Sequence, residues 1–119
     1  NLALYKNLPL EKQALQLIRE AYTNSFPASY RVESSNTRIE VSQDFETTLL
    51  HTVDVEGVGL RLKNYQISSH AEKDIHINET DFLSSTVGSS IFAIAVDKHT
   101  LAPGEATNAF VVEQKENVK

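Results

Sequence analysis

The sequence contains no cysteine, no methionine and no tryptophan, and only four glycines and three prolines among its 119 residues. Without cysteine there is no disulfide, no thiolate nucleophile and no thiolate metal site. That absence does not fix the compartment, because cytosolic and periplasmic chains both tolerate it. With no methionine and Asn1 in first place, the chain reads as processed or as a domain cut from a longer protein, any signal peptide having been removed. The glycines are scattered and form no phosphate-cradling loop. No apolar run approaches the ~20 residues that span a bilayer, so no transmembrane segment is expected. Positive charge is also scarce, with 11 Lys and Arg against 16 Asp and Glu and a net charge of −5. Acids and bases are interspersed. Nucleic acid needs a basic face, and so does an anionic membrane surface, so neither is expected as a partner.

What is present fits one globular domain over residues 1–119. Apolar residues make up 40% and charged residues 23%, too apolar for a disordered chain. A domain of this length buries roughly two thirds of its unfolded surface and needs no staples.

The first third carries one helical pattern. Leu10, Ala14, Leu17, Ile18 and Ala21 recur at helical spacing, while Lys12, Gln16, Arg19 and Thr23 line the other face. Pro9 suits the first turn, where its missing N–H has no intrahelical partner. Asn24 and Ser25 dissolve the pattern and Pro27 ends it. The spacing predicts a helix over about 9–23.

Beyond Pro27 the period changes to two. Tyr30 and Val32 alternate, "SSNT" reads as a turn, and Ile39 and Val41 alternate, which together predict a hairpin. Leu49, His51, Val53 and Val55 form the next strand. "EGVG" relieves it. Val58, Leu60 and Leu62 follow, and the apolar face then switches to Tyr65 and Ile67. That phase change predicts a bulge near Lys63 and Asn64, or a change of strand there. Ile75 and Ile77 make another strand. "SIFAIAV", residues 90 to 96, is apolar on both faces and predicts a central strand covered on both sides. In "TLAPGEA", Pro103 presets φ and Gly104 accepts the positive φ of a type II turn. Asn108 to Glu113 closes the sheet, and "EQKENVK" is a solvated tail.

Six or seven short strands with one early helix give a mainly β fold. The expected form is an antiparallel immunoglobulin-like β-sandwich over about 29–114 with one N-terminal α-helix. No helices alternate with strands, which argues against a parallel α/β sheet.

Residues that could carry chemistry are few. "HAEKDIH" puts His70, Glu72, Asp74 and His76 close in sequence, but no zinc spacing is met, and a solvated polar face is the reading they favour. No serine sits in a nucleophile elbow. Asp44, Glu46, Asp54 and Glu56 alternate along the chain as exposed faces do, although paired carboxylates are an acid–base motif. No catalytic residue, metal or cofactor is expected. In "NETD", Asn78 to Asp81, polar side chains end the preceding strand by bonding nearby backbone. Phe82 then plugs the core, and Leu101 before "PGE" plugs it in the same way.

The run "LRLKNYQISSHAEKDIHINETDF", Leu60 to Phe82, is followed by an apolar strand, "L-x-PGE" and a closing strand through Glu113. This order resembles the C-terminal domain of TraK, an outer-membrane core component of F-type conjugative type IV secretion systems. The early helix, its proline exit and the Tyr30 strand fit the same order. Leu83 departs from it, standing where an indole is common. The resemblance implies a non-enzymatic periplasmic building block, the C-terminal part of a longer protein, associated with the outer membrane. Its partners would be a small TraV-like lipoprotein and other core-complex subunits. The isolated domain would be a monomer that joins a ring in the assembly. An immunoglobulin-like periplasmic or surface adhesion module is the other reading of the same strands. For partner binding, the residues singled out are Tyr30, Val32, Ile39 and Val41, because a short hairpin bounded by polar residues belongs near a sheet edge, where backbone groups can accept an extended peptide.

Overall fold

The computed structural model describes residues 9–23, 26, 30–55, 59–83 and 90–114. Helix α1 spans Leu10–Thr23. The Pro9 carbonyl accepts from the Lys12 and Gln13 amides at 2.9 and 3.0 Å, so the first turn closes on the proline. Ala14, Leu17 and Ile18 are buried on the inner face, while Lys12, Arg19 and Thr23 are exposed on the other. The predicted exit through Asn24, Ser25 and Pro27 lies outside the described residues, as does Val58.

Seven strands follow: β1 (Arg31–Ile39), β2 (Phe45–Val55), β3 (Leu60–Ser69), β4 (Ile75–His76), β5 (Ile91–Val96), β6 (Thr100–Leu101) and β7 (Ala106–Gln114). Five form one antiparallel sheet in the order β1-β2-β3-β7-β5, and β4 and β6 pair separately. The fold is mainly β, with one helix among the described residues. The turn into β7 is built as its residues demand: Gly104 has φ +82° and the Glu105 amide donates to the Ala102 carbonyl at 3.0 Å.

Side chains of one strand alternate between sheet faces. On β7, Phe110 and Val112 join one core while Ala109 and Val111 join the other. The first core lies under α1 and takes Val53, Val55, Leu60 and Leu62. The second lies on the opposite face, where Tyr65, Ile67 and Phe45 meet Ile77, Phe82 and Leu101. The two cores are therefore diagonal. The helix covers one half of one face; the β4–β6 pair and the turn before Phe82 cover the other half of the opposite face.

The structure departs from the sequence reading in three places, and the diagonal explains the first. No bulge breaks β3 at Lys63 and Asn64, because Leu60↔Gln114 to Ser68↔Ala106 pair without a shift. Leu60 and Leu62 have even numbers, Tyr65 and Ile67 odd ones, so a continuous strand already points them to opposite faces. The bulge sits on β2, between Leu49 and His51, opposite Tyr65 and Asn64. It lets Phe45 face one core and Val53 and Val55 the other.

The predicted hairpin is the second departure. Residues 31–39 form one strand, paired with β2 from Arg31↔Asp54 to Ile39↔Thr47. β2 is 11 residues long and offers partners to both halves, so "SSNT" becomes a register shift between Ser34 and Thr37 instead of a reversal. Third, β5 is not central. Among the described residues it ends the sheet and pairs only with β7, although its apolar side chains do contact both cores. The centre is β3. The Ile75–Ile77 strand shrinks to two residues, and the last strand extends to Ala106–Gln114.

Two buried hydroxyls, those of Thr47 and Ser69, are poorly matched among the described residues. The Thr47 side chain has no exposed surface, and its hydroxyl meets no hydrogen-bond partner among the described residues. A buried unsatisfied hydroxyl costs free energy that an apolar group of the same shape does not. Thr47→Val is therefore expected to stabilise the fold by about 1 kcal/mol, which urea denaturation would show as a higher midpoint at unchanged slope.

Candidate interaction surfaces

The described surface is best sorted by what neutralises its charges. Arg61 grips Asp54 with two bonds, Nε–Oδ1 at 2.6 Å and Nη2–Oδ2 at 3.3 Å. Lys63 Nζ lies 3.1 Å from Glu113. Arg38 pairs with Glu46 at 3.6 Å, and Lys98 with Glu105 at 2.9 Å. Asp54 and Glu46, named above as candidate acid–base groups, are thus tied to different partners and do not face each other. Glu56 lies outside the described residues.

The "HAEKDIH" side chains also go separate ways. His70 Nε2 is 2.9 Å from the Gln43 carbonyl, and His76 stacks on His99 with ring centres 6.1 Å apart. His99 in turn bonds the Glu79 carboxylate. No group of three His, Asp or Glu side chains is placed to hold a metal ion among the described residues. Burial pushes the Tyr65 phenol up to about 12, with the Glu113 carboxylate adding to the effect, so it stays protonated at neutral pH.

Glu79 shows what the polar run before Phe82 does. Asn78 precedes a 3₁₀ turn over Glu79–Phe82, and the Asp81 carboxylate accepts the Asn78 amide at 3.0 Å. Glu79 faces outward and accepts from His99 and from the Val96 amide. The His99 bond is the main cause holding the Glu79 carboxyl below its ordinary range. A depressed carboxyl stabilises the fold above its unfolded pKa, and that contribution is lost as pH falls through the folded one. Glu79→Gln is expected to flatten the acid limb of the stability curve below about pH 4.5. The effect is small because the carboxylate is largely solvated, and a carbon-detected titration of Glu79 would check its direction.

The four residues predicted to bind a partner occupy the β1 edge but do not form one patch. Tyr30 is buried under α1, with its hydroxyl 2.9 Å from Glu20. Val32 is 47% exposed. Ile39 and Val41 pack against the opposite core. Beside Val32 an open groove of about 360 Å³ runs across the sheet face beyond the helix, lined by Tyr22, His51, Asn64, Asn108 and Phe110 among others.

A second apolar surface went unnoticed in the sequence. Leu15, Leu83 and Phe92 are exposed at 59%, 60% and 40%. Leu15 and Phe92 share a cleft with Glu11, Ala14 and Ala93; Leu83 and Phe92 share another with Glu79, Ile91 and Ile94. One signal was available: Leu15 interrupts the polar face of α1 between Lys12 and Arg19.

The described residues thus form a mainly β domain with two sheet edges and apolar clefts at its surface. The chain belongs to the TraK C-terminal domain family, which matches residues 1–113. That family is a structural component of type IV secretion systems, which connects the chain with conjugation and with the cell envelope. No curated relative matches the sequence. No helix is long and apolar enough to cross a membrane among the described residues.

Proposed function

We propose that this domain is a building block of the outer-membrane core complex of a conjugative type IV secretion system, where it holds a TraV-like lipoprotein. It acts in the periplasm beside the outer membrane and performs no catalysis. Family membership supports the assembly role. The observation that carries the docking mode is the position of β1 at one end of the five-stranded sheet.

No described strand pairs with the outer side of β1, so its backbone donors and acceptors can receive an extended segment. A strand laid there would meet Val32 on one face and Ile39 and Val41 on the other, with Tyr30 anchoring the start of β1 from the core. Arg31, Glu33 and Arg38 line the same edge and, with the register shift after Ser34, discourage indiscriminate pairing. The packing of the β4–β6 pair on the larger sheet supports an uneven sandwich of immunoglobulin-like type. The isolated domain is a monomer, and the ring forms only with the other core subunits.

The test is a titration of the isotope-labelled domain with segments of the cognate lipoprotein, read on backbone amides. Shifts along Arg31–Ile39 are expected. Shifts confined elsewhere would discard the β1 edge and keep the lipoprotein as partner. No shift with any segment would sink the lipoprotein reading.

A further inference from the structure

The β5 edge differs from the β1 edge in chemistry. Its sequence, Ile91 to Val96, carries no charge, and no described strand pairs with its outer side. An uncharged apolar edge is the least protected kind against strand addition. The edge is not open throughout. Asp97 N–H donates inward to the Asn108 carbonyl at 2.9 Å, so by strand alternation the Val96 amide points outward, where Glu79 receives it. The stretch left without such a cap among the described residues is Ile91 to Ile94.

Side chains on both faces of this stretch favour an apolar occupant. Leu15 stands beside it from α1, Leu83 stands beside it after the 3₁₀ turn, and Phe92 lies half exposed between them. The charge pattern selects the occupant further. Each flanking cleft holds one carboxylate, Glu11 in one and Glu79 in the other; Glu79 is already bonded to His99, so Glu11 is the carboxylate that chiefly selects the occupant. A second copy of the chain fits poorly. Two-fold pairing through β5 brings both helices to one face, Glu11 toward Glu11, and both 3₁₀ turns to the other, Glu79 toward Glu79. The net charge of −5 adds to that repulsion.

We propose that Ile91–Ile94, flanked by Leu15 and Leu83, is a docking edge for a short extended apolar segment that carries Lys or Arg beside it and belongs to another protein. The site lies at the far end of the sheet from β1 and does not depend on the lipoprotein reading. One domain can therefore hold two extended segments, one on each edge.

Three synthetic peptides test the proposal on the labelled domain: an alternating Val-Thr strand flanked by lysines, the same strand flanked by glutamates, and the same strand flanked by serines. The lysine peptide is expected to shift the amides of Leu15, Leu83 and Ile91–Ile94. Its affinity should fall several-fold between about 50 and 300 mM salt, where screening shortens from about 14 to 6 Å. The glutamate peptide should bind about tenfold more weakly, and Glu11→Gln should narrow that difference. Phe92→Thr keeps a strand-forming residue, and an unchanged amide spectrum elsewhere confirms folding; it should weaken all three peptides. Equal affinity for the lysine and glutamate peptides overturns the charge argument. Shifts only along β1, or none, overturn the site. A dimer by sedimentation that Phe92→Thr dissociates would make the occupant a second copy. Binding to phosphatidylglycerol vesicles without peptide binding would make it a lipid surface. Either result overturns the proposal.

Discussion

Leu17→Asp is expected to destabilise the domain by roughly 4–6 kcal/mol, close to the whole stability of a chain this size. Leu17 has no exposed surface and lies in the core that α1 forms with β3, β5 and β7. Removing a buried leucine side chain costs about 2–5 kcal/mol by itself. The carboxylate then adds the cost of an unpaired charge, because the side chains of this core are apolar apart from Tyr30, whose hydroxyl already donates to Glu20. Part of the charge cost is avoided by protonation or by lifting the helix. Lifting exposes the same apolar face, so the loss reappears as lost burial. Thermal denaturation would show a midpoint about 15–25 °C lower, or no cooperative transition. Leu15→Asp is the matched control: the same change on the same helix, at a side chain 59% exposed, should stay within about 0.5 kcal/mol. If both variants melt like the parent, α1 is not part of the folded core.

The stripe that places Leu17 was legible in the sequence because helical spacing is a local property. Ala14, Leu17 and Ile18 needed no knowledge of the sheet to be assigned inward. The Pro103–Gly104 turn and the plugs Phe82 and Leu101 were legible for the same reason. The strand order was not. "SIFAIAV" is apolar on both faces, which a central strand and a doubly contacted edge strand share. Only the pairing with β7 alone separates them. The diagonal of the two cores was hidden differently. Read one strand at a time, Leu60, Leu62, Tyr65 and Ile67 look like a slipped register. The regular pairing of β3 with β7 shows an ordinary strand that changes which face is covered halfway along.

The predicted hairpin was misread for a related reason. "SSNT" has the composition of a turn, but composition cannot tell a reversal from a bulge when a long partner strand is available on the other side. Tyr30, Val32, Ile39 and Val41 then fall along β1 and just beyond its two ends, on two faces. The apolar β5 edge escaped because its members come from three separate segments. Leu15, Leu83 and Phe92 meet only after the helix, the 3₁₀ turn and the last strands have packed.

Phe82→Ala is expected to cost about 3–5 kcal/mol, the usual range for emptying a fully buried phenylalanine site. Phe82 has no exposed surface, and its ring centre lies 6.5 Å from that of Phe45 and 6.1 Å from that of Tyr65. Its position follows from the polar run that precedes it. Asn78 ends the chain's pairing with the β6 side, the Asp81 carboxylate fastens the Asn78 amide, and the 3₁₀ turn swings Phe82 under the sheet. The ring then closes the end of the second core, with Ile77 and Leu101 beside it. Truncation leaves a void bounded by β-strand backbones on one side and a hydrogen-bonded turn on the other. Neither can collapse far, so the cavity cost should sit toward the upper part of that range. Asp81→Asn tests the turn separately. An amide oxygen can still accept the Asn78 N–H, so the expected loss is below about 1 kcal/mol. A chelator should leave both variants and the parent unchanged, because the turn is held by these bonds. A parent protein that loses stability on chelation would instead assign Glu79 and the neighbouring histidines to a metal. Equal losses for Phe82→Ala and Asp81→Asn would mean that the turn, and not the ring, holds this end of the core together.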